Sequence, residues 1–188
     1  MIITVQEIIE IVIMALAVGY IFSGFFKKRY ISDDPFVQYS KPSMIDNLIY
    51  GIKIAAPAVI LHELSHKFVA MAFGAQAVIH APIGMYTIVI LMRLLNFPII
   101  FFVGGYVSIF GKLFAWQHAL ISLAGPLTNL IIYLVLISLV KFNLVNKKHY
   151  EMIGRAAKLN LFLFAFNMIP LPGFDGYSFF SAILSYIF

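Results

Sequence analysis

Apolar residues occupy most positions of this chain in long runs, and short polar stretches separate the runs. Four of the runs approach or exceed the ~20 residues that a helix needs to cross the hydrocarbon core of a bilayer. They cover residues 5–26, 44–73, 116–142 and 150–168. A further apolar run, 174–188, is too short to cross and predicts a short C-terminal helix. The pattern therefore predicts about four transmembrane helices.

The segment 75–111 has a different pattern. It is rich in β-branched and aromatic residues and is interrupted by Pro82, Pro98 and Gly104-Gly105. Its apolar runs, 83–95 and 99–110, are each short for a full helical span. Periodicity leaves three alternatives open for this segment: a membrane-embedded hairpin, a pair of strands with a re-entrant loop, or two short tilted helices.

Composition places the whole pattern in a membrane. The chain is 62% hydrophobic and 11% charged, with a mean hydropathy of +0.97, whereas a soluble domain carries about 25% charged residues. Its Lys and Arg cluster between the apolar runs, as juxtamembrane residues do. The absence of Cys excludes disulfides and thiolate metal sites. We therefore predict an all-α polytopic protein, with a membrane-associated hairpin or re-entrant region, that contacts the lipid bilayer and binds no nucleic acid.

The first apolar run, within 1–26, is expected to be a retained helix. No basic residue precedes it and Lys27-Lys28-Arg29 follow it, which is the reverse of a signal peptide. Glu7 and Glu10 share one face of this helix. We expect them to lie at the membrane interface or to face the helix bundle.

The second helix contains the motif His62-Glu63-Leu64-Ser65-His66. Histidines four residues apart project from one face, so both can bind one Zn²⁺. Glu63 adjoins the first of them and can act as a general base toward water. Ionisable groups in hydrocarbon cost at least ~2 to 3 kcal/mol and by default mark function. The alternative is an interfacial cluster of neutral histidines paired with Glu63.

A catalytic zinc normally has three protein ligands and one open position. The chain has only eight acidic residues, and most lie in the polar linker or near helix starts. Asp175 instead follows Pro170-Leu171-Pro172-Gly173, which breaks a helix at membrane depth. Irregular backbone is tolerated there only where it is buried in protein or lines a wet cavity. We expect Asp175 to be the third ligand; the alternative is that it caps the last helix.

Three stretches together resemble the site-2 protease family of intramembrane zinc metalloproteases. They are His62-Glu63-Leu64-Ser65-His66, Ala124-Gly125-Pro126-Leu127-Thr128-Asn129, and Asn167-x-x-Pro170 leading to Asp175-Gly176. Their order matches the three-helix catalytic core of that family. We therefore expect a single membrane-embedded domain over 1–188, with its catalytic core at 44–177.

The resemblance implies roles for six residues. The zinc ligands would be His62, His66 and Asp175, and Glu63 would activate water. Asn129 and Asn167 would position the substrate backbone or stabilise the oxyanion. The alternative for both asparagines is hydrogen bonding between helices.

Two features depart from the family pattern. The family often has Asp-Gly-Gly where this chain has Asp175-Gly176-Tyr177, which makes the conformation after the ligand a question for the structure. The chain also leaves no room for the PDZ or CBS domains of some relatives, so we expect a minimal member.

The function implied is hydrolysis of peptide bonds in or near transmembrane segments of membrane-protein substrates, as regulated intramembrane proteolysis by a multi-pass protein of the cell membrane. The alternative is a non-catalytic membrane protein that binds zinc or a partner transmembrane helix. Glu63 argues against that alternative, because a purely structural zinc site has no use for the carboxylate.

The orientation in the membrane is predicted differently by two criteria. The positive-inside rule would place the basic linkers at 27–29 and 147–148 in the cytoplasm. The resemblance implies that these linkers lie outside and the zinc nearer the cytoplasm, and we prefer this second orientation.

Overall fold

The computed structural model describes residues 2–28, 36, 41–95, 97 and 104–187. These residues form helices α1 (Val5–Phe22), α2 (Met44–Ala72), α3 (Ile83–Leu94), α4 (Ala115–Lys141), α5 (Tyr150–Asn167) and α6 (Asp175–Ile187). A single 3-10 turn, Lys147–His149, precedes α5. Strands β1 (Gln76–His80) and β2 (Tyr106–Phe110) flank α3 in the sequence.

The predicted helices agree with these bounds except in the first. There the helix ends at Phe22 rather than at residue 26, and the amides of Phe25 and Phe26 donate to the Phe22 carbonyl in a turn. Both α1 and α2 begin at a capping box, which Thr4 forms with Glu7 in α1 and Ser43 forms with Asp46 in α2. Most of the predicted linker 27–43, including its Asp-Asp-Pro turn signal, lies outside the described residues.

Among the described residues, three helices are long and apolar enough to cross a membrane: α1, α2 and α4. The fourth predicted helix forms as α5, but Glu151, Arg155 and Lys158 give its first half a polar character. The short C-terminal helix forms as α6. The protein is therefore a helical polytopic membrane protein.

The segment 75–111 contains a strand pair with a short helix between the strands. β1 and β2 are antiparallel, with Gln76 opposite Phe110 and His80 opposite Tyr106. The expectation of a hairpin is confirmed for these strands, while residues 96 and 98–103 lie outside the described part. The apolar run 83–95 forms α3, as the alternative of short tilted helices predicts, so the segment combines features of two alternatives.

Helix α2 is the centre of the fold, since α1, α4, α5 and both strands contact it. A buried ion pair joins Lys67 of α2 to Glu7 of α1, and the Glu7 carboxylate also accepts the Ile79 N–H of β1. Glu10 accepts the N–H of Ala81. Both glutamates of α1 therefore face the bundle, where they connect α1 to α2 and to the segment that contains β1.

Candidate active site

The motif histidines lie on the buried side of α2. Pro57 lies inside this helix, five residues before His62. His62, Glu63 and His66 are each at most 6% exposed. The rings of the two histidines meet edge to face with centroids 4.7 Å apart, as expected for residues one turn apart on one helical face.

Asp175 completes a cluster with the two histidines. It is the first residue of α6, and its Oδ2 lies 3.0 Å from His62 Nε2 and 3.3 Å from His66 Nε2. The two Nε2 atoms are 3.1 Å apart. The cluster of His62, His66 and Asp175 could hold a metal ion. His62 and Asp175, which are 113 residues apart in the sequence, are thus in direct contact.

The second nitrogen of each ring is held by α4. Asn129 Oδ1 lies 2.6 Å from His62 Nδ1, and the backbone carbonyl of Ile121 lies 2.6 Å from His66 Nδ1. Such contacts orient the rings so that their Nε2 atoms point at a common centre. Helix α4 therefore supplies a supporting shell behind both histidines.

Gly125 explains how α4 can approach so closely. A Cβ at this position would lie 2.6 Å from His62 Nε2 and 2.7 Å from His62 Cε1, with His66 Nε2 in the same space. Any side chain would therefore collide with both rings. Gly125, in the interior of α4, is therefore a packing requirement of the site.

Glu63 is oriented by the chain segment before β2. Its Oε1 accepts the N–H of Gly105 at 3.1 Å. Glu63 and the three-residue cluster line one cavity of about 320 Å³, together with Gly104–Val107 and the turn before α6. The carboxylate is therefore beside the candidate metal cluster and faces the same open space.

The Asp175-Gly176-Tyr177 sequence is compatible with this arrangement. Asp175 starts α6, and Gly176 packs so closely against the end of α5 that an added Cβ would lie 2.8 Å from the Ile169 carbonyl oxygen. Tyr177 is 45% exposed and is not among the residues that line the cavity. The second glycine of the family pattern is thus not needed here, whereas the first is.

The electrostatics of Asp175 favour its ionised form. Burial alone would raise the pKa of this carboxyl, but the neighbouring imidazoles of His62 and His66 outweigh that effect and hold the pKa well below its usual range. The carboxylate is therefore available as an anionic oxygen ligand at neutral pH.

The two predicted asparagines differ in their surroundings. Asn129 is fully buried, and its Nδ2 donates to the Ala58 carbonyl and to Asn160 Oδ1 while its Oδ1 faces His62. These contacts match the alternative interpretation of Asn129, in which it forms hydrogen bonds between helices and does not bind the substrate. Asn167, the last residue of α5, is half-buried and lines the cavity.

Sequence reasoning missed Asn160 and Gly105. Asn160 is 2% exposed within an apolar stretch of α5, and a buried amide in such a stretch is a signal that could have identified it. Gly105 contributes only its backbone N–H, which a sequence pattern does not reveal. The remaining histidines lie outside the cluster: His80 stacks on Tyr106, and His118 and His149 are exposed.

A helical membrane protein with this cluster and a neighbouring glutamate belongs to the class of membrane zinc metalloproteases. The chain is a member of peptidase family M50, the site-2 protease family, whose model matches residues 50–147. Its cofactor is Zn²⁺.

The relatives bear names of the same kind. "Putative zinc metalloprotease MJ0611" of Methanocaldococcus jannaschii is 31% identical over 172 residues, which cover 91% of this chain and 81% of the relative. Zinc metalloprotease MJ0392 of the same organism is 32% identical over 68% of this chain, but the match spans 32% of that relative. "Putative zinc metalloprotease Rip2" of Mycobacterium tuberculosis is 29% identical over 64% of this chain and 52% of the relative. No solved structure matches at comparable significance.

Proposed function

We propose that this metalloprotease binds zinc through His62, His66 and Asp175 and uses Glu63 as the general base for peptide hydrolysis. We further propose that its substrates are membrane proteins cut in or near a transmembrane helix, in regulated proteolysis at the cell membrane. The proposed catalytic core is 44–177.

The observation that carries this proposal is the convergence of three ligand atoms. The Nε2 atoms of His62 and His66 and the Oδ2 of Asp175 are 3.0 to 3.3 Å from one another. Ligands about 2.0 Å from a tetrahedral zinc lie about 3.3 Å from each other. The spacing therefore fits one zinc ion held by three protein atoms, with a fourth position open.

The hydrogen bond behind His66 supports the same conclusion. A backbone carbonyl can only accept, so His66 Nδ1 must carry the proton that it shares with Ile121 O. In the neutral ring the Nε2 then carries a lone pair, and it faces the carboxylate of Asp175 and the ring of His62. Acceptors gathered in a buried place are stabilised by a shared cation.

Bound zinc supplies a Lewis acid that polarises a carbonyl oxygen and lowers the pKa of water. Glu63 is the residue that would take the proton of the attacking water and return it to the leaving amine. Its Oε1 is occupied by the Gly105 N–H. The other oxygen is therefore the one we assign to proton transfer.

Strand β2 suggests how a substrate would be presented. A helical substrate hides its carbonyls in backbone hydrogen bonds and must unwind before cleavage. The residues Gly104 to Val107 line the cavity beside Glu63, and β2 pairs only with β1 among the described residues. We propose that an unwound substrate segment adds to the free edge of β2 as a further strand, while Asn167 contacts the substrate near the scissile bond.

The test is metal analysis combined with proteolysis of a reconstituted reporter that has one transmembrane helix. Glu63→Gln should retain one zinc per chain and lose about 10²- to 10⁴-fold of its cleavage rate, the usual contribution of a general base. Asp175→Ala should lose zinc or bind it much more weakly.

A matched control is Glu151→Gln, the same chemical change at a carboxylate that pairs with Arg155 outside the site. This variant should keep both zinc and activity. Wild-type protein purified without stoichiometric zinc, or a Glu63→Gln variant with full activity, would overturn the proposal. Cleavage of a soluble peptide but not of the transmembrane reporter would overturn the substrate assignment alone.

A further inference from the structure

A buried chain of amide groups lies behind His62 and links three helices. Asn129 of α4 is 0% exposed and Asn160 of α5 is 2% exposed. Asn129 contacts both the ring of His62 and the Ala58 carbonyl on α2, at 2.6 and 3.0 Å. Its Nδ2 also lies 2.9 Å from Asn160 Oδ1. Burying two amides in an apolar bundle is costly unless every polar atom finds a partner.

The direction of each hydrogen bond follows from one backbone carbonyl. Asn160 Nδ2 lies 2.9 Å from the Ala156 carbonyl oxygen, which can only accept. Asn160 Oδ1 must therefore face Asn129, where it accepts a hydrogen bond from Asn129 Nδ2. The same Nδ2 also donates to the Ala58 carbonyl, so Asn129 Oδ1 is left to face His62.

The opposite orientation of these amides is excluded by the same atoms. Turning Asn129 over would place its oxygen against the Ala58 carbonyl and against Asn160 Oδ1, which are two acceptor–acceptor contacts in a buried place. If Asn160 were turned over as well, the contact between the two amide oxygens would be relieved. The Asn160 oxygen would then face the Ala156 carbonyl oxygen, which is again an acceptor–acceptor contact. Each unsatisfied buried acceptor destabilises the fold, so the arrangement has a single favourable direction.

We infer that Asn129 and Asn160 are positioning residues that hold His62 in its Nδ1–H tautomer, with the Nε2 lone pair aimed at the metal cluster. Asn129 Oδ1 accepts the Nδ1 proton directly, and Asn160 acts through Asn129 by fixing its orientation. The inference rests on the proposed role of His62 as a zinc ligand. It gives Asn129 a role toward the ligand instead of toward the substrate.

This relay, from Asn160 through Asn129 to His62, explains how α5 can affect the metal cluster. The side chain of Asn160 contacts Asn129, which in turn contacts His62. His66 receives its orientation from a carbonyl of α4, which needs no further support. His62 is oriented by a side chain, and a side-chain amide could turn over unless a second group held it. Asn160 supplies that second group from a neighbouring helix.

The experiment measures the dissociation constant for zinc by competition with a chelator, together with the melting temperature of the metal-free protein. Asn129→Leu should raise the Kd about 10- to 100-fold, the usual effect of removing a group that supports a metal ligand. Asn160→Leu should raise the Kd about 10-fold. The visible spectrum of the Co²⁺-loaded variants should also change, because the imidazole of His62 is no longer held in place.

Two control variants separate positioning from general stability. Asn160→Asp should stay within about 3-fold of the wild-type Kd, because a buried carboxyl is neutral and can accept from Asn129 while its O–H donates to the Ala156 carbonyl. Leu159→Ala, one residue away and 4% exposed, should lower the melting temperature but leave the Kd unchanged.

The outcomes distinguish this inference from the proposed function. If His62→Ala keeps wild-type zinc affinity, the ligand assignment itself is wrong. If His62→Ala loses zinc while Asn129→Leu and Asn160→Leu bind it normally, only the relay is wrong. A Kd that follows the melting temperature across all variants, Leu159→Ala included, would likewise overturn the relay.

Discussion

Gly125 shows how a single missing side chain shapes the site. Its Cα faces the two histidine rings of α2, and a Cβ there would lie 2.6 Å from His62 Nε2. Such a distance is well inside van der Waals contact, so either the rings or α4 would have to move. The neighbouring contacts, Ile121 O on His66 and Asn129 on His62, prevent the rings from moving independently.

We therefore expect Gly125→Ala to weaken zinc binding at least ~10-fold, in the range seen when the support of a metal ligand is disturbed. Cleavage of the reporter should fall with it. The measurement is zinc affinity by chelator competition, followed by reporter cleavage at saturating zinc.

Gly154→Ala is the matched control for this prediction. Gly154 lies inside α5, and a Cβ there would meet nothing within 4 Å. The change should leave zinc binding unaltered and stabilise the helix by up to ~1 kcal/mol. Equal loss of zinc in both variants would show that the effect belongs to helix propensity and not to the site.

In the strand-addition proposal, the strand pair is the element that connects α2 to a substrate. β1 is anchored by the Glu7 carboxylate, which accepts the Ile79 N–H, while β2 borders the cavity. Backbone N–H groups point alternately to the two sides along an antiparallel strand. Of Val107 and Ser108, one therefore donates toward β1 and the other toward the free edge.

Proline scanning at Val107 and Ser108 tests the strand-addition proposal, because proline removes one N–H at a time. The variant that loses the N–H facing β1 should destabilise the hairpin. The variant that loses the edge N–H should bind zinc normally, melt near the wild-type temperature and cleave the reporter at least ~10-fold more slowly.

The readouts for the two proline variants are zinc content, melting temperature and cleavage rate. If zinc and activity fall together in both variants, the strands matter for the metal site and the pairing proposal is wrong. If neither variant slows cleavage, the edge of β2 is not used by the substrate.

On the scale of the whole molecule, charged groups gather at one end of the bundle. Lys28 pairs with Asp46 at the start of α2, while Arg155 pairs with Glu151 and donates to the Lys27 carbonyl. The metal cluster lies far from this end, because His62 is about 27 Å along α2 from its first residue at ~1.5 Å per residue. These two ion pairs therefore lie near the start of α2, and the proposed metal cluster lies nearer its end.

The absence of native cysteine allows the transmembrane arrangement to be tested directly. Helix α4 is about 40 Å long at ~1.5 Å per residue, which exceeds the ~30 Å hydrocarbon core. In sealed vesicles, Lys112→Cys and Lys148→Cys should react with an impermeant maleimide from opposite sides, so only one should be labelled before permeabilisation.

The side on which Lys148→Cys reacts also decides the orientation. The family resemblance places it outside, whereas the positive-inside rule places it in the cytoplasm. Labelling of both cysteines before permeabilisation would show that α4 does not separate them across the membrane.

The sequence predicted the helical membrane fold because long apolar runs have few alternatives in a bilayer. It also predicted the pairing of His62 with His66, since a helix of fixed pitch sets the relation of residues four apart. The strand pair was only one of several alternatives, because short apolar runs carry no decisive periodicity. The end of α1 was placed four residues late for a similar reason, since apolar residues continue past Phe22 into a turn.

What the sequence by itself determined is thus local: the spans, the motif on α2 and the type of residues available as ligands. Only the tertiary structure decided that Asp175 lies against both histidines, that Gly105 orients Glu63 and that Asn160 supports Asn129. These contacts join residues from separate helices and strands. They depend on how the elements pack, and no spacing along the chain encodes which buried polar atom will find which partner.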